Sequence, residues 1–278
     1  MTCLGLSAAG DAGREVFLRE DSLTVCRLLQ QARRQPGAAC LPVFFGRQFL
    51  GHPYVAHTLE GEGQERLVIN TRQLDCTTLV ENVTALTLCA YRGDYTWKAY
   101  KQALRQMRYR EGKVEGYVSR IHYFTEWITV NSARGIVTEI QQPDPPFSSL
   151  QKVSLSYMST HPESYRALRE HPEYVPQIRR LEQRISGGQF RFIPKSVVGN
   201  SRLLRQAVRD GDIIAITCKK PGLDIAHLGI AVWHADGLHL LNASMLHKKV
   251  VEEPMTLYQY LRKHPSHTGI RIIRINKN

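Results

Sequence analysis

Residues 73–82 read QLDCTTLVEN, with one cysteine between an acidic residue and two threonines and an apolar run that begins three positions later. Asp75 is a helix cap by residue type, and Leu79, Val80, Val83, Leu86 and Ala90 then form one stripe of a helix that ends at YRGD. Cys76 would stand at the N-terminus of that helix, where unpaired N–H groups and the macrodipole stabilise a thiolate. A small structural cysteine satisfies the same ten residues. A nucleophile needs more: a base beside it, and a third polar group that orients the base.

The base has to come from elsewhere in the chain, which has 11 histidines. His161 and His171 precede prolines in a polar stretch, and His264 and His267 fall in a C-terminal turn. His227 differs, because it opens the apolar run HLGIAVW directly after the loop KKPGLDIA. That run and GLHLLNAS flank HAD, so the two are expected to pair as an antiparallel hairpin. With an even-numbered connection Trp233 pairs with Leu238, His227 falls opposite Ser244, and Asn242 becomes a diagonal neighbour on the same face. Asn242 is then the first choice for the orienter and Ser244 the alternative, while His239 and His247 would point the other way.

Around these positions the chain reads as helices first and strands later. DSLTVCRLLQQARR at 21–34 has helical apolar spacing behind an Asp-Ser start, LVIN ends a short strand, and a second helix covers about 95–109. GYVSRIHYFTEWITV suits helix or strand; after it, EIQQPDPPFSSL opens a polar middle, 141–200, with one or two helices and a stop at Gly187-Gly188. GDIIAIT, AHLGIAVW, GLHLLNAS and GIRIIRI then predict an antiparallel sheet. The expected architecture is α+β: one catalytic domain over 21–278, with a helical lobe at about 21–135, an insertion at about 141–200 and the sheet at about 205–278.

Composition narrows the partners. The 278 residues are 42% hydrophobic and 22% charged, as in an ordinary globular protein, and no apolar run approaches the roughly 18 residues of a membrane span. A net charge of +12 favours an anionic partner, but the basic residues alternate with acidic ones, as on a solvated helix face, rather than forming a nucleic-acid groove. The six cysteines at 3, 26, 40, 76, 89 and 218 include no C-x-x-C, and no H-E-x-x-H occurs, so no metal or cofactor is expected. If Cys76 is a free thiol, the remaining five cannot all pair. Residues 1–20 read as a weak or clipped export signal or a disordered start, which points to a periplasmic or secreted protein, with the cytoplasm as the alternative.

Taken together, Gly51-His52-Pro53-Tyr54, Asp75-Cys76, Gly211-Asp212, His227-Leu228-Gly229-Ile230 and Asn242-Ala243-Ser244 resemble the NlpC-type papain-like cell-wall hydrolases. HPYVAHTLE, VINTRQLDCTTLVENV, VSRIHYFTEWI and DIAHLGIAV are similar to the N-acetylmuramoyl-L-alanine amidase-like branch, formerly a domain of unknown function, over about residue 20 to the C-terminus. His227 follows Cys76 by about 150 positions, against ~130–150 in papain-like enzymes. The resemblance implies a papain-like fold and hydrolysis of the amide between N-acetylmuramic acid and L-alanine in peptidoglycan or muropeptides. Cys76 would be nucleophile, His227 base and then acid, Asn242 orienter, and Tyr54 an oxyanion donor with the Cys76 N–H. Asn242 departs from the histidine common at this place in the wider family. Asp75, Ser119, Arg120, His122 and Trp127 would belong to the substrate-binding side, Arg120 as a fork-shaped partner for a carboxylate. Two rival functions remain: an endopeptidase cutting between D-glutamate and the diamino acid, and a basic non-enzymatic module binding wall or nucleic acid.

Overall fold

The structure is a computed structural model that describes residues 15–34, 40–61 and 63–277. The possible export signal and Cys3 lie outside the described residues.

Ten helices and ten strands, besides short 3-10 turns, make up the described chain. The helices are α1 (Arg19–Arg34), α2 (Leu41–Arg47), α3 (Cys76–Tyr91), α4 (Trp97–Arg108), α5 (Phe124–Ala133), α6 (Tyr157–Thr160), α7 (Arg166–Glu170), α8 (Val175–Ile185), α9 (Arg202–Ala207) and α10 (Leu257–Lys263). The strands are β1 (Glu15–Val16), β2 (Leu67–Val68), β3 (Val137–Ile140), β4 (Ser149–Lys152), β5 (Gln189–Pro194), β6 (Ile213–Cys218), β7 (Ile225–Trp233), β8 (Leu238–Ser244), β9 (Lys249–Glu252) and β10 (His267–Ile275). The fold is α+β. β1 and β2 form a minimal parallel pair, and the rest make one antiparallel sheet in the order β4–β5–β10–β6–β7–β8–β9. β3 pairs with the end of β10 beyond its contact with β5.

The sheet is covered on both faces, which is why its strands read as continuous apolar runs. Along β6, Ile213 and Ala215 join a cluster with helices α1 to α5, while Ile214 and Ile216 join Leu257 and Leu261 of α10 on the other side. α3 lies between α1, α2 and α4 and the sheet strands β7, β8 and β10. It is therefore buried nearly all round, where the sequence suggested a single stripe: Glu81, Asn82, Thr84 and Thr87 are buried with its leucines and valines. The polar members are satisfied in part by pairing, since Arg108 Nε donates to Glu81 Oε2 at 2.7 Å with both side chains 2% exposed.

α1 starts two residues before the expected Asp-Ser pair. Asp21 is buried inside its first turn and accepts from Leu18 N and from Thr71 N and Oγ1, each at 2.8 Å. The polar middle, expected to hold one or two helices, holds three, α6, α7 and α8, and two strands besides. β4 and β5 pair with each other, and β5 extends the main sheet through β10. The rest of that segment packs around its own apolar cluster, including Tyr123, Leu155, Met158, Leu168 and Ile178.

Candidate active site

Asp75 caps α3 as its type predicts. Its backbone is extended, its Oδ1 accepts from Thr78 N at 2.8 Å, and Thr78 Oγ1 accepts from Asp75 N at 2.9 Å. This reciprocal pair fixes the entry of the chain and makes Cys76 the first helical residue. The segment before it is clamped as well: Leu74 N donates to Pro53 O and Tyr54 N to Lys248 O. Tyr54 is thereby held between the helix start and the β8–β9 turn, packed beside Cys76. Burial, and to a smaller extent the nearby Cys76 and Asp75, raise the Tyr54 pKa, so its hydroxyl keeps its proton and stays a donor.

His227 and Asn242 arrive from the sheet. β7 pairs with β8 as Trp233↔Leu238 and Ile230↔Leu241, the even-numbered register. Continued to the strand ends, it brings the two side chains together on one face, and His227 Nε2 lies 2.9 Å from Asn242 Oδ1. The amide orientation is set by its other partners. Asn242 Nδ2 donates to Leu240 O at 3.2 Å and to Glu253 Oε1 at 3.3 Å, and a backbone carbonyl can only accept. Oδ1 must then face the imidazole, Nε2 must carry the hydrogen, and Nδ1 keeps the lone pair of a base.

The strand that carries His227 also runs beside Cys76. The backbone of Leu228 and the backbone and side chain of Thr77 lie close to the Cys76 sulfur and favour its charged form, against the larger effect of burial. Gly229 permits this close packing: a Cβ there would lie 2.6 Å from Leu240 Cδ1 and 2.8 Å from Leu241 O. Tyr260 of α10 stacks beside the imidazole, with ring centroids 6.3 Å apart. Burial, helped by the Asp75 charge, pushes the Cys76 thiol up to about 12, and burial lowers the His227 pKa. The helix terminus therefore does not make a resting thiolate here. The free site holds a neutral thiol, and an imidazole shifted toward its neutral form.

Residues 44–270 match the model of the AmiA-like family, N-acetylmuramoyl-L-alanine amidase-like. This chain belongs to that family. An N-acetylmuramoyl-L-alanine amidase from Bacteroides uniformis is 40% identical, with a TM-score of 0.79, covering 85% of this chain and 98% of that one. A structure named a putative xylanase from Bacteroides fragilis is also 40% identical, with a TM-score of 0.77, covering 83% of this chain and 99% of that one. A Legionella pneumophila protein at 20% identity shares the fold, with a TM-score of 0.69 over 92% of this chain and 94% of its own. No curated protein matches.

The other positions expected in this amidase-like chain are placed as follows. Ser244, the alternative orienter, has its hydroxyl accepting from His247 N at 3.2 Å, which closes the β8–β9 turn. His239 is buried on its own hydrogen bonds to Glu253 O and Asp236, whereas His247 turns back to Glu253 instead of pointing away. Ser119 Oγ donates to Gly116 O and accepts from Glu115 N, so it holds a turn. His122 Nε2 bonds Tyr117 O, and burial and the Arg120 charge keep its ring neutral. Trp127 is 1% exposed and stacks on Phe124 in the core. These three side chains are taken up locally; Arg120 pairs with Glu65, Nε to Oε1 at 3.1 Å. Arg120 is 8% exposed, lies over the Tyr117 ring and faces a cavity of about 140 Å³.

Sequence reasoning missed Glu253 entirely. It is 2% exposed, and its two carboxylate oxygens meet Asn242 Nδ2 and His247 Nε2, both at 3.3 Å. The only signal was an acidic pair, Glu252-Glu253, before a proline, which reads as surface. Its neighbour Glu252 faces Arg47 and His234 instead.

Proposed function

We propose that this chain is a cysteine amidase of papain-like design that hydrolyses the N-acetylmuramoyl-L-alanine amide of peptidoglycan fragments. One observation carries the reading: the strand that presents His227 to Asn242 at 2.9 Å also runs beside Cys76, its Leu228 backbone close enough to favour the thiolate. In the proposed reaction Cys76 Sγ attacks the lactyl carbonyl carbon while its proton passes to His227 Nδ1. The carbonyl oxygen becomes an oxyanion held by the Tyr54 hydroxyl and the Cys76 N–H. His227 returns the proton to the alanine nitrogen, the C–N bond breaks, and a muramoyl thioester remains. Water then attacks that thioester, losing a proton to His227, and the C–S bond breaks to give the free acid and the thiol.

The family description and the Bacteroides uniformis amidase support this bond over others. A glycosidase, as the Bacteroides fragilis name would suggest, needs two carboxyls about 5–9.5 Å apart across the scissile bond. The two carboxylates built into this site are occupied otherwise, Asp75 in capping Thr78 and Glu253 behind Asn242.

The Arg120 cavity is the proposed place for a stem-peptide carboxylate. Among the described residues, Thr58 Oγ1, the Tyr117 hydroxyl and Arg120 Nη2 are buried without hydrogen-bond partners, and all three side chains line it. Arg120 Nε already pairs with Glu65 Oε1 at 3.1 Å, so Nη2 is the donor left for a substrate carboxylate. The surplus of positive charge suits a polyanionic wall polymer. Export to the wall is part of the same proposal.

Mass spectrometry of defined muropeptides after incubation tests it. The amidase reading predicts a glycan ending in a free lactyl carboxylate and a peptide beginning with L-alanine, both absent with Cys76→Ala. A glycan that retains L-alanine and D-glutamate would replace this reading with the endopeptidase. Amidating the stem carboxylates should raise KM if Arg120 binds one, and an unchanged KM would remove Arg120 from the site.

A further inference from the structure

Behind the Cys76–His227–Asn242 line lies a carboxylate that the reaction does not use directly. Glu253 follows β9, and its own backbone is pinned: its N–H donates to Leu240 O at 2.9 Å and its carbonyl accepts from His239 at 2.7 Å. One carboxylate oxygen takes the Asn242 amide hydrogen, and the other meets His247 Nε2 on the solvent side. A buried carboxylate is costly unless hydrogen bonds and charge offset it. Here the offset is shared between an amide aimed at His227 and a half-exposed histidine.

We propose that Glu253 is a positioning residue for the reaction: it holds Asn242 with its oxygen toward His227 and places a negative charge that stabilises the imidazolium formed in each half of the turnover. The proposal rests on the cysteine-amidase reading for its consequences in turnover, but its effect on His227 is measurable without substrate. The charged and titratable groups around His227 come from four places: Asp75 at the start of α3, Glu253 after β9, Tyr260 and His264 in and after α10, and His267 at the start of β10. Glu253 and Asp75 favour the charged ring, while His264 and His267 oppose it. Glu253 itself faces Asn242 and His247.

Two substitutions separate charge from geometry. Glu253→Gln keeps an acceptor for Asn242 and removes the charge. Glu253→Asp keeps the charge and shortens the reach. NMR titration of the His227 ring in the free enzyme should place the Gln variant about one unit below wild type and the Asp variant near it. One unit corresponds to roughly tenfold in the stability of the imidazolium. On muropeptides, the Gln variant should lose about tenfold in kcat with KM within about twofold, and the acid limb of its kcat/KM profile should move to lower pH. A Gln variant that melts lower but titrates and turns over as wild type would make Glu253 purely structural and overturn the proposal. So would unfolding of both variants at 25 °C, which would assign the residue to the fold. If wild type and Cys76→Ala act alike on muropeptides, the cysteine reading fails, and the His227 titration still decides Glu253.

Discussion

At Asn242 the account rests on a single side chain with three hydrogen bonds, and each can be tested separately. Asn242→Ala should lower kcat substantially yet leave residual activity, because Cys76 and His227 remain. Asn242→His should keep more, since an imidazole can also accept from Nε2 of His227. Ser244→Ala should change turnover little, because that hydroxyl serves the turn at His247. Steady-state kinetics of the three variants decides it, and a crippled Ser244→Ala beside a mild Asn242→Ala would reverse the assignment. An amide does not titrate, so the pH profile belongs to the thiol and the imidazole. The active form pairs a neutral imidazole with a protonated thiol. Burial disfavours imidazolium, so its half-protonation lies below the ordinary value near 6.5, and activity should persist to mildly acidic pH before falling. The placement of Cys76 at a capped helix start and of His227 beside Asn242 was legible because a cap residue, a strand start and the parity of a hairpin are local signals. Glu253 was not, because two adjacent acids give no sign of which one turns inward.

The hairpin β7–β8 is the element that aligns the site, and Gly229 is its tightest point. A methyl group there would press on Leu240 and the Leu241 carbonyl at 2.6 and 2.8 Å, closer than side-chain atoms pack. Overpacking of this kind costs about 1–3 kcal/mol. Gly229→Ala should therefore lower the melting temperature and reduce kcat together, since the backbone that shifts also carries His227 and Leu228. Calorimetry with parallel kinetics checks it; an unchanged melting temperature would mean that the strands can part without cost. Elements with strong period or caps were readable in advance, as α3, α4, β6, β7, β8 and β10 illustrate. β3, β4, β5 and β9 were not. VTEI, SLQK and KVVE are four residues each and carry polar side chains; VTEI and SLQK become strands only by pairing with distant neighbours, and KVVE by folding back on β8. The ambiguous aromatic segment became α5, with Trp127 and Ile128 turned into the core.

Across the whole molecule, α3 is the meeting point of helices and sheet, and the Cys76 thiol sits at its N-terminus. That position explains both the precision of the site and the high thiol pKa: a helix enclosed on all sides holds Cys76 firmly and keeps its sulfur neutral. Among the described residues no helix is long and apolar enough to cross a membrane. The central claim is that Cys76 forms a covalent acyl-enzyme during turnover. Intact-protein mass spectrometry of acid-quenched single-turnover mixtures with a defined muropeptide measures it directly. The account predicts an adduct on Cys76 whose mass equals the muramoyl acyl group without any stem peptide, and no adduct with Cys76→Ala. Full turnover by Cys76→Ala, or an adduct on another residue, would contradict it.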